Sequence, residues 1–180
     1  MQVVSTMGTG SLGREVELEA FVSELENRVE EVDANFQSAS MVTIRLEEGG
    51  PAYTVYRTGS FQIRGAESEE LLQEAVDRFT QLLDGIGVEI PEFQFEVSTI
   101  VCMEDLGQEL DLETLAVSLG LNNIEYEPEQ FPGLVFRPDG YEVTLLLFSS
   151  GKVIIGGAKN RSQATSAIDH LEEKLVSVEA

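Results

Sequence analysis

"LGREVELEAFVSEL", residues Leu12–Leu25, returns as "LGQELDLETLAVSL" at Leu106–Leu119, 94 positions later. A second pair, "TVYRTGSFQIRGAES" at Thr54–Ser68 and "LLFSSGKVIIGGAKN" at Leu146–Asn160, aligns its glycines at an offset of 92. Two pairs in the same order at nearly the same spacing indicate a direct duplication. We therefore predict two repeats, residues 1–92 and 93–180, whose lengths differ by an insertion or deletion near residues 28–40.

Each repeat shows the same succession of secondary-structure signals. A strand and a short helix come first, then strands separated by turn residues, then a long amphipathic helix. In the first repeat the central strands are predicted at Met41–Arg45, Ala52–Arg57 and Ser60–Arg64. The pattern predicts an α+β fold in which helices cover one face of an antiparallel sheet. The other face has no covering element in the sequence, so we expect function to lie there.

The charge is strongly negative, with 33 acidic and 11 basic residues and a net charge of −22. Nucleic-acid binding ordinarily relies on a basic surface, which argues against a DNA ligand. Adaptation to high salt is the alternative, because at about 1 M salt the Debye length falls to about 3 Å and exposed charges are screened. Acids spread over the whole chain, rather than gathered in a tail, favour a halophilic protein.

Composition also bounds the class of protein. A hydrophobic fraction of 42% is enough for a globular core. No apolar run approaches the roughly 18 residues of a membrane span, and no secretory leader pattern is visible. One cysteine, Cys102, rules out an internal disulfide and is expected in the core. We expect a cytoplasmic protein without a membrane partner.

The sequence offers no candidate for catalysis. "SSGK" and "GGAK" lack the spacing of a nucleotide-binding loop. His170 stands on an acid-rich helix and is interpreted as a surface residue. There is no nucleophile–base pair and no cluster of metal-ligating residues at a recognisable spacing. We therefore predict a protein that is not an enzyme and carries no cofactor.

Two stretches of the second repeat point to a family. "LDLETLAVSLGLNNIEYEPEQFPGLVFR" at Leu110–Arg137 and "LLLFSSGKVIIGGAK" at Leu145–Lys159 resemble the C-terminal repeat of archaeal TATA-box-binding proteins. The first repeat is similar only through "LGREVELE", the Gly59 turn and "RGAES". The resemblance implies a saddle with pseudo-two-fold symmetry, in which ten strands form a curved, concave antiparallel sheet and four helices cover the convex side.

The resemblance also implies that the partner is promoter DNA, which the protein binds and bends through the minor groove. A cytoplasmic protein with this partner is expected to be associated with the nucleoid. Phe131 and Phe148 match the family's pair of apolar wedges. The repeat pattern alone does not distinguish a wedge from a core residue at these two positions. Four residues match the family's apolar groove-lining positions: Pro132, Leu146, Ile154 and Val101. Four others resemble contacts to the sugar-phosphate backbone: Ser149, Ser150, Lys152 and Arg137.

Several positions depart from the family pattern. Ser5 and Thr99 stand where the family has asparagines that bond base edges. Arg64 and Gly156 stand where it has threonines. Arg64 is suited either to a narrow minor groove or to acidic groups on another protein.

The first-repeat wedge positions also differ. They fall on Tyr56 and, depending on the length difference between the repeats, on Phe36 or Ala39. Other groove-facing positions of this repeat are Met7, Thr54 and Gln62. This half of the surface is therefore expected to be the more polar one.

The resemblance implies protein partners as well. Glu127, Glu129 and Gln130 resemble the surface that docks transcription factor B, which links the protein indirectly to RNA polymerase. Whether the free protein also forms a homodimer through its uncovered sheet is left open. Two functions compete: a general initiation factor, favoured by Phe131 and Phe148, and a regulatory paralogue with weakened DNA recognition, favoured by the polar first repeat.

Overall fold

The computed structural model describes residues 1–120 and 122–179. The first half of the chain contains β1 Gln2–Ser11, α1 Leu18–Glu26, β2 Asp33–Ser38, β3 Met41–Arg45, β4 Ala52–Tyr56, β5 Ser60–Ala66 and α2 Glu69–Gly85. The second half contains β6 Gln94–Asp105, α3 Leu112–Ser118, β7 Ile124–Glu125, β8 Leu134–Phe136, β9 Thr144–Leu147, β10 Lys152–Ala158 and α4 Arg161–Glu179. No helix within the described residues is long and apolar enough to cross a membrane.

The long helices begin where their capping residues predict. The Ser68 hydroxyl accepts a hydrogen bond from the backbone N–H three residues further on at 3.1 Å, and two acidic residues follow in the first turn of α2. Asn160 accepts from the Gln163 N–H at 3.0 Å, and the Gln163 side chain accepts from the backbone N–H of Lys159 at 2.8 Å. This reciprocal pair resembles a capping box and fixes the start of α4.

The chain divides into two compact units. The first unit is Ser5–Ser98, and the second unit is Met1–Val4 together with Thr99–Ala180. In the first unit the strand order is β2-β3-β4-β5-β1. In the second unit the order is β6-β10-β9-β8-β7, to which β6 contributes its residues from Thr99 onward, since its first residues up to Ser98 belong to the first unit. The neighbouring strands within each unit run antiparallel, as predicted.

The core of the first unit lies between its strands and its two helices. Phe79 of α2 is its centre, with ring centroids 6.5 Å from Phe21 of α1, 5.4 Å from Tyr53 of β4 and 5.1 Å from Phe61 of β5. The Tyr53 hydroxyl donates to the Ala75 carbonyl at 3.2 Å. Burial raises the pKa of this hydroxyl to about 12, so it remains a neutral donor.

The core of the second unit repeats this arrangement. Buried strand residues alternate with half-buried ones: the buried set is Ile100, Cys102, Leu134, Phe136, Leu145, Leu147, Val153 and Ile155. They pack in one cluster with Ala164, Ala167, Ile168 and Leu171 of α4. Cys102 is buried, as predicted. In each unit, therefore, one face of the strands is covered by helices, and we call the opposite side the uncovered face.

Strand β2 is an element that the sequence did not predict. Its residues Asp33–Ser38 pair with β3 and are mostly exposed. The sequence "DANFQS" is rich in residues that are depleted in strands. Pairing with an adjacent strand, rather than local propensity, therefore determines its conformation.

Candidate functional site

The uncovered face of the second unit is apolar. Register places Val135 of β8 opposite Leu146 of β9, Leu146 opposite Ile154 of β10, and Ile154 opposite Met103 of β6. These four residues form the apolar row. All four are half-buried, and their chain neighbours are core residues, apart from Glu104 next to Met103. A row of hydrocarbon side chains without a covering element is a surface suited to an apolar or shape-selective partner.

The uncovered face of the first unit carries a polar counterpart. Register places Thr43 of β3 opposite Thr54 of β4, Thr54 opposite Gln62 of β5, and Gln62 opposite Thr9 of β1. These four residues form the polar row. They precede the members of the apolar row by 92 positions, or by 94 in the case of Thr9. The two units thus present the same positions with opposite chemistry.

Most hydroxyls of the polar row are already hydrogen-bonded. Thr43 and Thr54 share a bond of 2.9 Å, and Thr43 also lies 3.3 Å from the Gln37 side-chain oxygen. Thr9 shares a bond of 2.9 Å with Ser98. These hydrogen bonds fix the three threonine side chains of the row.

Phe131 and Phe148 lie side by side at one end of the second unit's strands. Their rings meet edge to face, with centroids 5.9 Å apart and planes at 68°. A Cβ at Gly133 would lie 2.7 Å from the Phe131 ring and 3.1 Å from the Phe148 ring, so the glycine makes room for both rings. Phe131 is 39% exposed and is therefore not a core residue. Phe148 is half-buried.

The first unit has no such pair of rings at its candidate wedge positions. Tyr56 is half-buried and pairs with Met41 at the end of β4. Phe36 pairs with Val42, whose side chain is in the core, so register places Phe36 on the helix side. It is 44% exposed there. Of the two alternatives for the second wedge position, Ala39 is the one that lies in the turn between β2 and β3.

The turn between β9 and β10 is hydrogen-bonded to the segment between β6 and α3. The backbone N–H of Leu110 donates to the Ser149 carbonyl at 2.9 Å, and that of Leu106 donates to the Gly151 carbonyl at 3.0 Å. Gly151 has φ +84°, and a Cβ there would lie 2.0 Å from the Gln108 carbonyl oxygen. The supported turn presents three exposed side chains: Ser149, Ser150 and Lys152.

The two arginines singled out by the sequence have different surroundings. Arg137 forms an exposed ion pair with Glu125, with Nη1 2.9 Å from Oε1. Arg64 is exposed on β5, opposite Met7 of β1, and no ion pair joins it to the described residues. A ligand phosphate would have to displace Glu125 from Arg137, whereas Arg64 is free to meet one.

The remaining predicted residues are spread over both units. Val101 is half-buried on β6 between two core residues, and Pro132 is exposed next to Phe131. Thr99 of the second unit and Ser5 of the first are both half-buried on strands. Ser5 and Thr99 are equivalent positions at the offset of 94.

An acidic loop, which contains Glu127 and Glu129, directly precedes the exposed Phe131. Glu127, Glu129 and Gln130 are exposed. The Glu127 carbonyl accepts from the N–H groups of Gln130 at 2.9 Å and Phe131 at 3.0 Å, which closes a turn. The loop thus presents carboxylates beside the ring pair.

Sequence reasoning missed the outer members of both rows, Val135, Met103, Thr43 and Thr9. Their signal is the strict alternation of core and surface residues along each strand. Among the described residues no group of three or more His, Cys, Asp or Glu side chains could hold a metal ion.

Comparison with known proteins gives consistent results. The family model "Transcription factor TFIID (or TATA-binding protein, TBP)" matches residues 1–86 and 94–178. TATA-box-binding protein C of Halobacterium salinarum is 39% identical over 97% of this chain and 97% of its own length. The TATA-box-binding protein of Archaeoglobus fulgidus is 41% identical over 74% of each chain.

A solved structure matches the fold as well. Methanococcus jannaschii TBP has a TM-score of 0.84 at 30% identity and covers 98% of both chains. This match confirms the predicted α+β fold of antiparallel strands and four helices. The Halobacterium relative supports two predictions: a halophilic protein, which the acidic composition indicates, and an archaeal one, which the family resemblance implies.

Proposed function

The chain belongs to the TATA-binding protein family, a family of transcription factors rather than enzymes, and from this premise we propose that it binds and bends A·T-rich promoter DNA through the minor groove. The observation that carries the proposal is the apolar row together with the Phe131–Phe148 pair, of which the Phe131 ring is exposed. Its place of action is then promoter DNA in the cytoplasm.

The apolar row suits the floor of a minor groove. An A·T pair presents only acceptors there, so hydrogen bonds distinguish little and shape contributes much of the recognition. Leu146, Ile154 and Val101 supply hydrocarbon without donors or acceptors, and Pro132 extends this surface at the ring pair. A·T-rich DNA, whose minor groove lacks the guanine amino group, fits such a surface best.

The ring pair acts as the wedge. TATA-binding proteins are themselves the best-known example of apolar side chains that enter between base steps and kink the duplex. Phe131 is the leading ring because it is exposed, and Phe148 supports it by an edge-to-face contact. Tyr56 is the first unit's counterpart, and its hydroxyl needs a polar partner if the ring inserts.

Backbone contacts complete the DNA surface. Ser149 and Ser150 offer hydroxyls to phosphate or sugar oxygens, and Lys152 and Arg137 offer charge. Arg64 is the first unit's candidate contact. Ser5 and Thr99 offer hydroxyl groups to base edges, where the family has asparagine.

Transcription factor B is the proposed protein partner. Glu127, Glu129 and Gln130 form an exposed acidic loop that ends directly before Phe131. Such a loop complements basic side chains of a partner and steers its approach. RNA polymerase is then reached indirectly, through that factor.

The second candidate function is a regulatory paralogue. The polar row favours it, because four polar side chains replace the apolar row of the second unit. Such a protein keeps the acidic loop for transcription factor B but has altered DNA recognition.

DNA bending by the wild type and by two alanine variants tests the proposal. Phe131→Ala should lower both affinity and bend angle on an A·T-rich duplex, because the leading wedge is lost. Phe36→Ala is the matched control, since Phe36 is similarly exposed but lies on the helix side. Fluorescence energy transfer between labelled duplex ends reports the bend at about 1 M salt, where the net charge is screened.

The outcomes separate the two functions. Loss of bending in Phe131→Ala with an unchanged control supports the initiation factor. A wild-type protein that binds transcription factor B but leaves the duplex straight would support the regulatory paralogue. Reversing Glu127 and Glu129 to lysine should abolish recruitment of transcription factor B and leave the binary DNA complex intact.

A further inference from the structure

Gln62 is the polar group of the uncovered face that is best placed to meet a ligand. It occupies the middle of the polar row, between Thr54 and Thr9. The hydroxyls of these two neighbours are engaged by Thr43 and Ser98, each at 2.9 Å. The Gln62 carboxamide has no hydrogen-bond partner within residues 1–120 and 122–179, and the side chain is half-buried. Its oxygen and its amino group are therefore both available.

A recess adjoins this side chain. It has a volume of about 440 Å³ and lies within the first unit. Its polar lining includes Thr9, Tyr56, Ser60, Gln62, Gln94 and Glu96. The recess gives space for a small group that projects toward Gln62 from a bound partner.

The second unit has no such group at the matching position. Ile154 stands 92 positions after Gln62 and has the same place in its row, between Leu146 and Met103. A donor pressed against Ile154 would find only hydrocarbon. The two units therefore differ at this position in the ability to accept a hydrogen bond.

The minor groove holds one group that would detect this difference. Guanine carries an N2 amino donor there, whereas adenine and thymine present only acceptors. The Gln62 oxygen can accept from that amino group, and its NH2 can donate to a neighbouring base acceptor. Against Ile154 the same amino group would be desolvated without a partner, which is unfavourable.

We propose that Gln62 lets the first unit accept a G·C pair at a position of the site where the second unit requires A·T. This inference rests on the proposed minor-groove binding and makes the site asymmetric in its base preference. Promoters of this protein would then carry a G·C pair in one half only.

Inosine isolates the group in question, because an I·C pair lacks the N2 amino group, together with the hydrogen bond that this group donates to cytosine, but keeps the shape and the major-groove groups of G·C. The experiment measures dissociation constants at about 1 M salt for an A·T-rich duplex in which each pair is replaced in turn by G·C or by I·C. The ratio of the two constants at each position reports the effect of the amino group. We expect a ratio near one at a position in one half of the site and a ratio of at least about fivefold at the matching position in the other half.

Exchange variants assign the tolerant position to its side chain. Gln62→Ile should raise the low ratio to the level of the other half. Ile154→Gln should lower the high ratio at the matching position and leave the tolerant one unchanged. Both substitutions are on the uncovered face, and thermal melting of each variant verifies that it is folded.

The results separate this inference from the proposal on which it rests. Equal ratios in both halves, or a low ratio that persists in Gln62→Ile while the parent duplex still binds, overturn the role of Gln62 alone. Failure of folded wild-type protein to bind any duplex overturns minor-groove binding itself, and the inference with it.

Discussion

The ion pair between Arg137 and Glu125 restrains the arginine that is proposed to meet a phosphate. Both side chains are exposed, with Nη1 and Oε1 2.9 Å apart. Exposed pairs of this kind contribute only about 0.2–1 kcal/mol. The pair is thus weak enough for a phosphate to replace Glu125, but it opposes DNA binding as long as it is formed.

Glu125→Gln should therefore strengthen DNA binding by about two- to fivefold with little change in stability. Glu142→Gln is the control, because it removes the same charge from another exposed pair, with Lys159, at 3.7 Å. Fluorescence anisotropy titrations of the three proteins at one salt concentration provide the comparison. An equal gain in the control would assign the effect to net charge rather than to release of Arg137.

At the scale of elements, one hairpin turn in each unit is built around a contact that only glycine permits. Gly151 has φ +84°, and its α-carbon approaches the Gln108 carbonyl. Gly59 in the first unit is equivalent, with φ +88° and the Arg14 carbonyl in the same place. Each glycine lies in the turn of a β-hairpin and packs against the segment that connects the unit's long strand, β1 or β6, to the short helix that follows it.

Gly151→Ala should destabilise the protein by more than about 1 kcal/mol, because it adds backbone strain and a clash with a carbonyl. Gly140→Ala is the control: its φ is +82°, but an added Cβ would meet nothing within 4 Å. The control isolates the strain of the left-handed conformation, so Gly151→Ala should melt at the lower temperature of the two. Equal melting temperatures in thermal unfolding would show that the segment at Gln108 can move away from the added Cβ without a loss of stability.

The elements also show what a sequence can predict. The central strands, the helix caps at Ser68 and Asn160 and the glycine turns follow from local chemistry, and the structure contains them. Strand β2 does not, because its residues form a strand only when paired with β3. Phe36 could not be placed either, since a shift of one residue in register moves a side chain to the other face.

The candidate site divides in the same way. Resemblance to the family predicts that Phe131 and Phe148 are wedge residues, whereas their mutual contact depends on Gly133 and on the turn that Glu127 closes. The two rows of the uncovered faces need the register of four strands each. Alternation along one strand shows which side a residue takes, but not which residues stand beside it.

For the molecule as a whole, charge is the property that has to be reconciled with DNA. The net charge is −22, and the duplex is also negative. At low salt their repulsion opposes the complex, and repulsion among exposed acids opposes the folded state. At about 1 M salt the Debye length of about 3 Å removes most of both effects.

Salt should therefore stabilise this protein and should not dissociate its DNA complex. A protein that relies on phosphate contacts loses affinity steeply, since the logarithm of its binding constant falls with a slope of about −0.9 per phosphate neutralised. Here the apolar row and the Phe131–Phe148 pair provide contacts that salt does not screen. We expect the melting temperature to rise between about 0.1 and 2 M KCl, and the slope for DNA binding to be near zero or positive. Thermal melting and titrations over this range measure both quantities. A steep negative slope with a low-salt optimum would show that the basic residues dominate binding, and would contradict the salt adaptation inferred from the acidic composition.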